Sequence, residues 1–358
     1  MIYIIATIIV LGILVFVHEF GHFLAAKITG IRVEEFSLGF PPKIVSKKWG
    51  ETKYSLSWIP LGGYVKLSGM IDESMDDSWT ESEPQPWEYR AKPGWVKIFV
   101  SCAGVLMNLL LAVIIFAILT FQNGIAIPSE EPLIGEVIEG MPAEKAGMQE
   151  GDVVVKINDI PIYTWQEMTE TIQALANEET TIELLRKGER ITVTLTPVPQ
   201  QTVIDRDIRT VGMIGVSAHY TLRKAGVLES IGYGFKNTGY WLNLTVKSLG
   251  MLISGKESLK NIGGPIMIAQ LAGESAKVGA GALFGFIAII SVNLALINIL
   301  PIPALDGGHI VVAIIESVIR RDLRIKTKIR IQQVGMAILF TLIIVVLIND
   351  ILRLFTGL

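Results

Sequence analysis

His18, Glu19 and His22 form an H-E-x-x-H run near the start of the chain. On a helix, positions 18 and 22 stand one turn apart on the same face, so both imidazoles reach one zinc ion. Glu19 is then placed to act as base toward water at that metal. The chain has only four histidines, and this pair closes an apolar segment. Ionisable groups are costly in such a segment and mark function there. Zinc still needs a third protein ligand. Asp306 ends the uncharged stretch 278–305, in the run Asn293-Leu-Ala-Leu-Ile-Asn298-Ile-Leu-Pro301-Ile-Pro303-Ala-Leu-Asp306-Gly307-Gly308-His309. A carboxylate in that setting is expensive unless it binds a metal or pairs. Capping a helix next to two flexible glycines is the competing role for Asp306, and His219 is a weaker candidate ligand.

The elements that must position these residues are apolar. Among the 358 residues, 51% are hydrophobic and 18% charged, against about 25% charged in an ordinary soluble domain; mean hydropathy is +0.51. Residues 2–17, 98–129, 278–305 and 331–349 carry no charge. A bilayer-crossing helix needs roughly 20 apolar residues, so four transmembrane helices are predicted, over 1–26, 98–122, 278–305 and 331–352. The first lacks the basic start and small-residue cleavage site of a removable signal. Pro301 and Pro303 break the third, which is tolerated at membrane depth only where the backbone is covered by protein or lines a wet cavity. A net charge of 31 − 34 = −3 gives no support to a nucleic-acid partner. Cys102 has no second cysteine to pair with.

The connections differ in character. Residues 27–97 are rich in Gly, Pro, Trp and charge, and 54–68 reads as a short hairpin beside the membrane; 72–90 is acidic and predicted irregular. Within 125–200 the alternation predicts strands at 133–138, 153–157, 181–185 and 190–196, with a helix over 165–175. Segment 201–277 is an outward linker with an amphipathic stretch at 227–260 that lies at or enters the interface. Lys27, Arg32, Arg90, Lys92 and Lys97 flank spans one and two. Arg320, Arg321, Arg324, Lys326, Lys328 and Arg330 lie in 306–330. The positive-inside rule places both loops in the cytoplasm and the termini outside.

H-E-F-G-H in the first span and N-x-x-P-x-P-x-L-D-G-G-H after the third together resemble the bacterial site-2 protease family, RseP-like intramembrane zinc metalloproteases, over the whole chain. The resemblance implies a polytopic α-helical membrane protein with four transmembrane helices, a membrane-associated re-entrant β-hairpin and an inserted α+β PDZ-like domain. It implies Zn2+ held by His18, His22 and Asp306, with Glu19 catalytic. Asn293 and Asn298 match residues that hold the substrate or support intermediates. The hairpin, with Gly62, Gly63, Tyr64 and Val65, matches one that pairs with an extended substrate strand. His309 is expected to be structural. The implied activity is cleavage within the transmembrane segment of single-pass proteins, anti-sigma factors or remnant signal peptides, after a first cut by an upstream site-1-type protease. The implied location is a bacterial inner membrane, with the PDZ-like domain outward. The stretch Ala146-Gly-Met-Gln-Glu-Gly-Asp152 is the most PDZ-like piece, but Leu133-Ile-Gly-Glu136 departs from the usual G-Φ-G-Φ loop, so peptide-tail binding and a steric gate both stay open. A transporter or channel, a PDZ-bearing scaffold without catalysis, and a zinc protease acting on soluble proteins are the alternatives. The first two leave Glu19 unexplained.

Overall fold

The computed structural model describes residues 1–71, 83–204, 207–256 and 263–356. Its chain divides into two compact units, residues 1–120 with 227–358, and residues 121–226.

The larger unit holds the apolar helices. Helix α1 spans Ile2–Ile28. After it come the long strands β1 (Val33–Trp49) and β2 (Thr52–Leu67). Helix α2 (Gly94–Asn123) begins just after Pro93, a residue well suited to a helix start. Four helices are long and apolar enough to cross a membrane: Ile2–Ile28, Gly94–Asn123, Ala280–Ile299 and Ile325–Arg353. Each contains an 18-residue apolar stretch with at most two charged side chains, and their exposed faces carry Ile, Leu, Val and Phe, which is stable only against lipid. A core of Ala6, Val10, Leu14, Ala112, Ile115, Ala272, Ile287 and Val292 joins the first three of them to the helix Pro265–Val278.

The segment expected as a local hairpin at 54–68 is instead half of a sheet that starts at residue 33. Phe36 has two partners, Tyr54 and Val65, and Ser37 has Ser55 and Tyr64. The spatial order is therefore 63–67, 33–38, 52–57, 43–49, with 63–67 at one edge. Gly39, at φ +85, lies so close to Ser57 and Ile59 carbonyls that a Cβ there would stand 2.9 Å from each; only glycine fits this bend of β1. Phe36 packs its ring on Phe16 and Phe23 of α1, anchoring the sheet to the first span.

The smaller unit contains β3 (Ile125–Pro128), β4 (Ile134–Val137), α3 (Pro142–Lys145), β5 (Val153–Ile157), β6 (Ile160–Pro161), α4 (Trp165–Ala174), β7 (Thr180–Arg186), β8 (Glu189–Leu195), β9 (Val198–Ile204), β10 (Asp207–Met213), β11 (Val216–Ala218) and β12 (Tyr220–Arg223). Strands β6-β5-β7-β8 form one sheet, while β11 pairs with β4 and β12 with β3. The β7–β8 turn uses Lys187 and Gly188, both at positive φ, as a tight hairpin requires. Thr164 and Glu167 form a capping box on α4, satisfying orphan N–H groups at its start. Ile134, Val154, Ile157, Met168, Ile182 and Leu184 are fully buried in the core between α4 and the strands. Strands β9–β12 continue the unit beyond the 125–200 range expected from sequence.

The larger unit resumes with α5 (Val227–Ile253), α6 (Pro265–Val278), α7 (Ala280–Ile299), α8 (Asp306–Ile319) and α9 (Ile325–Thr356). The amphipathic stretch is thus a 27-residue helix. The third span stops at Ile299, short of residue 305, because Pro301 cannot continue it. Residues 306–319, expected in a basic loop, are helix α8. Of the predicted irregular stretch 72–90, residues 72–82 lie outside the described residues, and Tyr89–Ala91 is a single helical turn.

Candidate metal centre

Two helices bring the donors together. His18 and His22 lie on one face of α1, and Asp306 opens α8. Nε2 of His18 lies 3.2 Å from Nε2 of His22 and 3.2 Å from Oδ2 of Asp306. Nε2 of His22 lies 3.3 Å from Oδ1 of Asp306. Zinc holds N and O donors at about 2.0–2.2 Å in a tetrahedron, whose donor–donor edges are then about 3.3–3.5 Å. All three separations match that edge to within about 0.1 Å. Oδ2 of Asp306 is buried and accepts no hydrogen bond, an orphan that a cation satisfies. The donor set of two imidazoles and one carboxylate, with a fourth position left for water, is that of a catalytic zinc. Among the described residues this is the cluster of metal-binding type.

The far sides of the imidazoles are also held. Nδ1–H of His22 donates to the Val100 carbonyl of α2 at 2.8 Å, which leaves Nε2 free to bind metal. The amide of Asn108, fully buried on α2, lies 3.2 Å from Nδ1 of His18. Its Oδ1 is buried without a donor. A half-turn of this amide, whose N and O are interchangeable at assignment, lets Oδ1 accept Nδ1–H of His18 and repairs the orphan. Such partners fix ring orientation and raise ligand basicity.

Close approach of α2 to α1 depends on glycine. A Cβ on Gly104 would lie 2.4 Å from Nε2 of His22 and 2.7 Å from Cε1 of His18. A Cβ on Gly21 would lie 2.5 Å from the Ala103 carbonyl oxygen. On the other side, a Cβ on Gly307 would lie 2.1 Å from the Leu300 carbonyl oxygen. Its absence lets α8 start directly against the broken end of α7.

A cavity of about 380 Å³ opens on the cluster, lined by His18, Glu19, His22, Asn298, Asp306 and the strand residues Gly62–Val65 among others. Glu19 faces the cavity and receives the Val65 backbone N–H. Asn298 places Nδ2 3.3 Å from Nε2 of His18. Asn293 does not line this cavity; its Oδ1 accepts the Thr245 hydroxyl of α5 at 2.7 Å. His309 lines the cavity wall. His219 belongs to the other unit, where its backbone N–H bonds Leu133, and takes no part in the cluster.

Asn108 and Gly104 were not singled out in the sequence, although an asparagine in the middle of the uncharged stretch 98–129, four residues from a glycine on the same helical face, is a signal of this kind.

The family model for peptidase family M50 matches residues 6–342. The chain belongs to this family. A Rickettsia conorii protein named as a zinc metalloprotease is 36% identical over 99% of this chain and all of its own length. Zinc metalloprotease RasP of Geobacillus kaustophilus is 32% identical over 98% of each chain. The regulator of sigma-W protease RasP of Bacillus subtilis is 29% identical over 98% of this chain and 99% of its own. With the donor geometry, this family membership makes the chain a membrane-embedded zinc metalloprotease that acts on membrane substrates.

Proposed function

We propose that this protein is an intramembrane endopeptidase that hydrolyses a peptide bond within the transmembrane segment of single-pass proteins already shortened by another protease. The observation that carries the reading is the triangle of His18, His22 and Asp306 donors at 3.2–3.3 Å sharing one cavity with Glu19. Zinc bound there supplies Lewis acidity toward a carbonyl oxygen and toward water. Glu19 takes a proton from the attacking water and later delivers it to the departing amine. Asn298, at the mouth of the triangle, donates its amide N–H to the oxygen that gains charge during attack. Asn293 acts at one remove, by fixing α7 against α5 through Thr245.

A helical substrate hides its amides, so it must be held extended. The strand 63–67 is suited to this. Its partners all lie in 33–38, which leaves its other edge beside the cavity, and Gly62 and Gly63 offer backbone without side-chain obstruction. An unwound substrate adds to that edge as a strand.

The unit 121–226 reads as a PDZ-like domain, supported by its antiparallel strands, the capped helix α4 and the buried Asp152. Its place in the reaction is to filter bulky outward domains or to capture a peptide tail. The basic residues that flank these connections support a multi-pass arrangement in a bacterial inner membrane with 27–97 and 306–330 on the cytoplasmic side and both termini and the PDZ-like unit outward. Anti-sigma factors and remnant signal peptides are the substrate classes that fit. The relative named for regulating sigma-W supports the first.

The test uses detergent-purified full-length protein, a transmembrane peptide and zinc counted per chain. Glu19→Gln is expected to keep zinc and lose cleavage by about 10²–10⁴-fold; unchanged cleavage refutes the assignment of the base. Asp306→Ala is expected to lose zinc; full retention refutes the third ligand. A cysteine placed at Arg320 is expected to react only from the cytoplasmic side.

A further inference from the structure

Helix α8 begins at the metal ligand Asp306, and Pro301 and Pro303 cut it off from α7. Helical continuity therefore does not fix its direction. Its far end carries Glu316, which is buried and stands apart from the metal cluster. Oε1 of Glu316 accepts the Leu323 backbone N–H at 2.8 Å and pairs with Lys328 of α9 at 2.6 Å. Oε2 pairs at 3.4 Å with Lys97 of α2, which is also buried. The same ammonium pairs at 3.1 Å with Asp322, in the connection between α8 and α9. Two ammonium groups and two carboxylates thus form a neutral chain that ties α8 to α2 and α9. The helices also meet closely there, since a Cβ on Gly94 would collide with Oγ of Ser317.

A buried charge set is a poor means of adding stability. Its desolvation offsets most of its attraction, and apolar residues of similar volume would pack these helices about as well. Apolar faces, however, slide and rotate on one another, whereas a paired charge set fixes one register. The register fixed here is that of the metal centre. Lys97, Val100, Gly104 and Asn108, at i, i+3, i+7 and i+11, share one face of α2, and all are buried. From that face the Val100 carbonyl holds His22 and the Asn108 amide meets His18. Along α8, Glu316 stands about 15 Å from Asp306. A tilt of about 2° about Glu316 would shift Asp306 by about 0.5 Å, the tolerance within which a site stays productive.

We infer that Lys97 and Glu316 are positioning residues for the zinc site. Their contact sets the angle of α8 to α2, and so brings Asp306 to the two imidazoles that α2 orients. Neither side chain lines the catalytic cavity. The connection between α8 and α9 joins the same clamp through Asp322 and Leu323.

The test measures zinc affinity by chelator competition on detergent-purified full-length protein, for Lys97→Met, Glu316→Gln and the two combined. Each single change is expected to weaken zinc binding on the order of 10–100-fold, the range for partners that orient ligands. Both act through one contact, so the combined variant is expected to lose little more than the worse single one, whereas independent effects would multiply. Asp350→Ala removes another buried carboxylate of the same unit, one that holds the start of α6, and is expected to leave zinc affinity unaltered. Cobalt-substituted protein gives a second reading. Its visible absorption follows ligand arrangement, and is expected to change in Lys97→Met and Glu316→Gln but not in Asp350→Ala. Coupling is reciprocal, which supplies an arm without variants. Stripping zinc from the unaltered protein is expected to speed hydrogen exchange of the Leu323 N–H that Glu316 holds. Unchanged zinc affinity in the single variants, losses that multiply when they are combined, or Leu323 exchange indifferent to zinc would overturn the inference. An equal loss of affinity in Asp350→Ala would do the same, because it would reduce the effect to general destabilisation.

Discussion

Asn108 offers a direct measure of how much the second helix contributes to the metal centre. The perturbation is Asn108→Leu, close in volume and unable to hydrogen-bond. In the structure the amide lies 3.2 Å from Nδ1 of His18, in a position with no exposure to solvent. Removing it frees the His18 ring to choose the wrong tautomer, with the proton on Nε2 where metal must bind. Loss of such an outer partner costs 10–100-fold in metal affinity, or about 1.4–2.7 kcal/mol. Ser291 bonds the backbone carbonyl of Asn108, not its side chain, so the α2–α7 contact survives the change. The assay is competition for zinc between purified protein and a chelator of known affinity, alongside cleavage. Asn108→Asp serves as the conservative partner, since a carboxylate accepts the same Nδ1–H, and is expected to hold zinc at least as well as the unaltered protein. If Asn108→Leu bound zinc as tightly as the unaltered protein, the amide would be a packing group only, and the account of His18 orientation would fail.

Other substitutions probe separate parts of the argument. Gly104→Ala places a methyl 2.4 Å from Nε2 of His22, and should abolish stoichiometric zinc while the protein still elutes as a folded species in detergent. Asp350, nearly buried on α9, accepts N–H groups from Gly264, Ile266 and Met267 at the start of α6. Asp350→Ala is expected to cost about 1–2 kcal/mol locally, seen as faster amide hydrogen exchange over 264–268 with zinc content unchanged. In the smaller unit, burial pushes the Asp152 carboxyl up, but hydrogen bonds from Arg186 and the Gln149 backbone outweigh it and hold the group below its ordinary value. A depressed carboxylate contributes stability above its unfolded pKa, about 3.9, and loses it as pH falls through the folded value. Asp152→Asn should therefore weaken hydrogen-exchange protection of 133–195 at pH 7, with the difference from the unaltered protein shrinking below about pH 4.

The parts of this protein that were legible in sequence are those where a local pattern and a physical cost coincide. Four charge-free stretches predict spans because charge is expensive in lipid, and the helices fall there. His18, His22 and Asp306 stand out because ionisable groups in apolar surroundings need a reason. The sheet was harder. Residues 54–68 looked like a local hairpin because Pro60, Gly62 and Gly63 suggest a turn. Their partners in 33–38 are long-range, and the alternation there is masked by a fold back at Gly39. Asn293 shows a different difficulty: it and Asn298 look equivalent in sequence, five residues apart, yet that spacing turns them to different sides of α7. One meets Thr245 and the other His18.

The metal centre explains why glycines and prolines cluster in segments that otherwise need long uninterrupted helices. Three donors must come within about 3.5 Å of one another from α1 and α8, while α2 supports the imidazoles from behind. Ordinary helix pairs stand 8–10 Å apart at their axes, too far for backbone groups to reach a neighbour's imidazole directly. Gly21 and Gly104 remove the methyls that would keep α2 at that distance, and so bring the Val100 carbonyl and the Asn108 amide to the ring nitrogens. Pro301 ends α7, and Gly307 lets α8 restart against it, which puts Asp306 in the first turn of a helix. There the partial positive charge of the helix start favours a carboxylate that the apolar surroundings would otherwise disfavour. The breaks and the small residues thus serve one end: they hold a carboxylate and two imidazoles in a spacing that the helices alone would not allow, within the cavity that Gly62–Val65 also line.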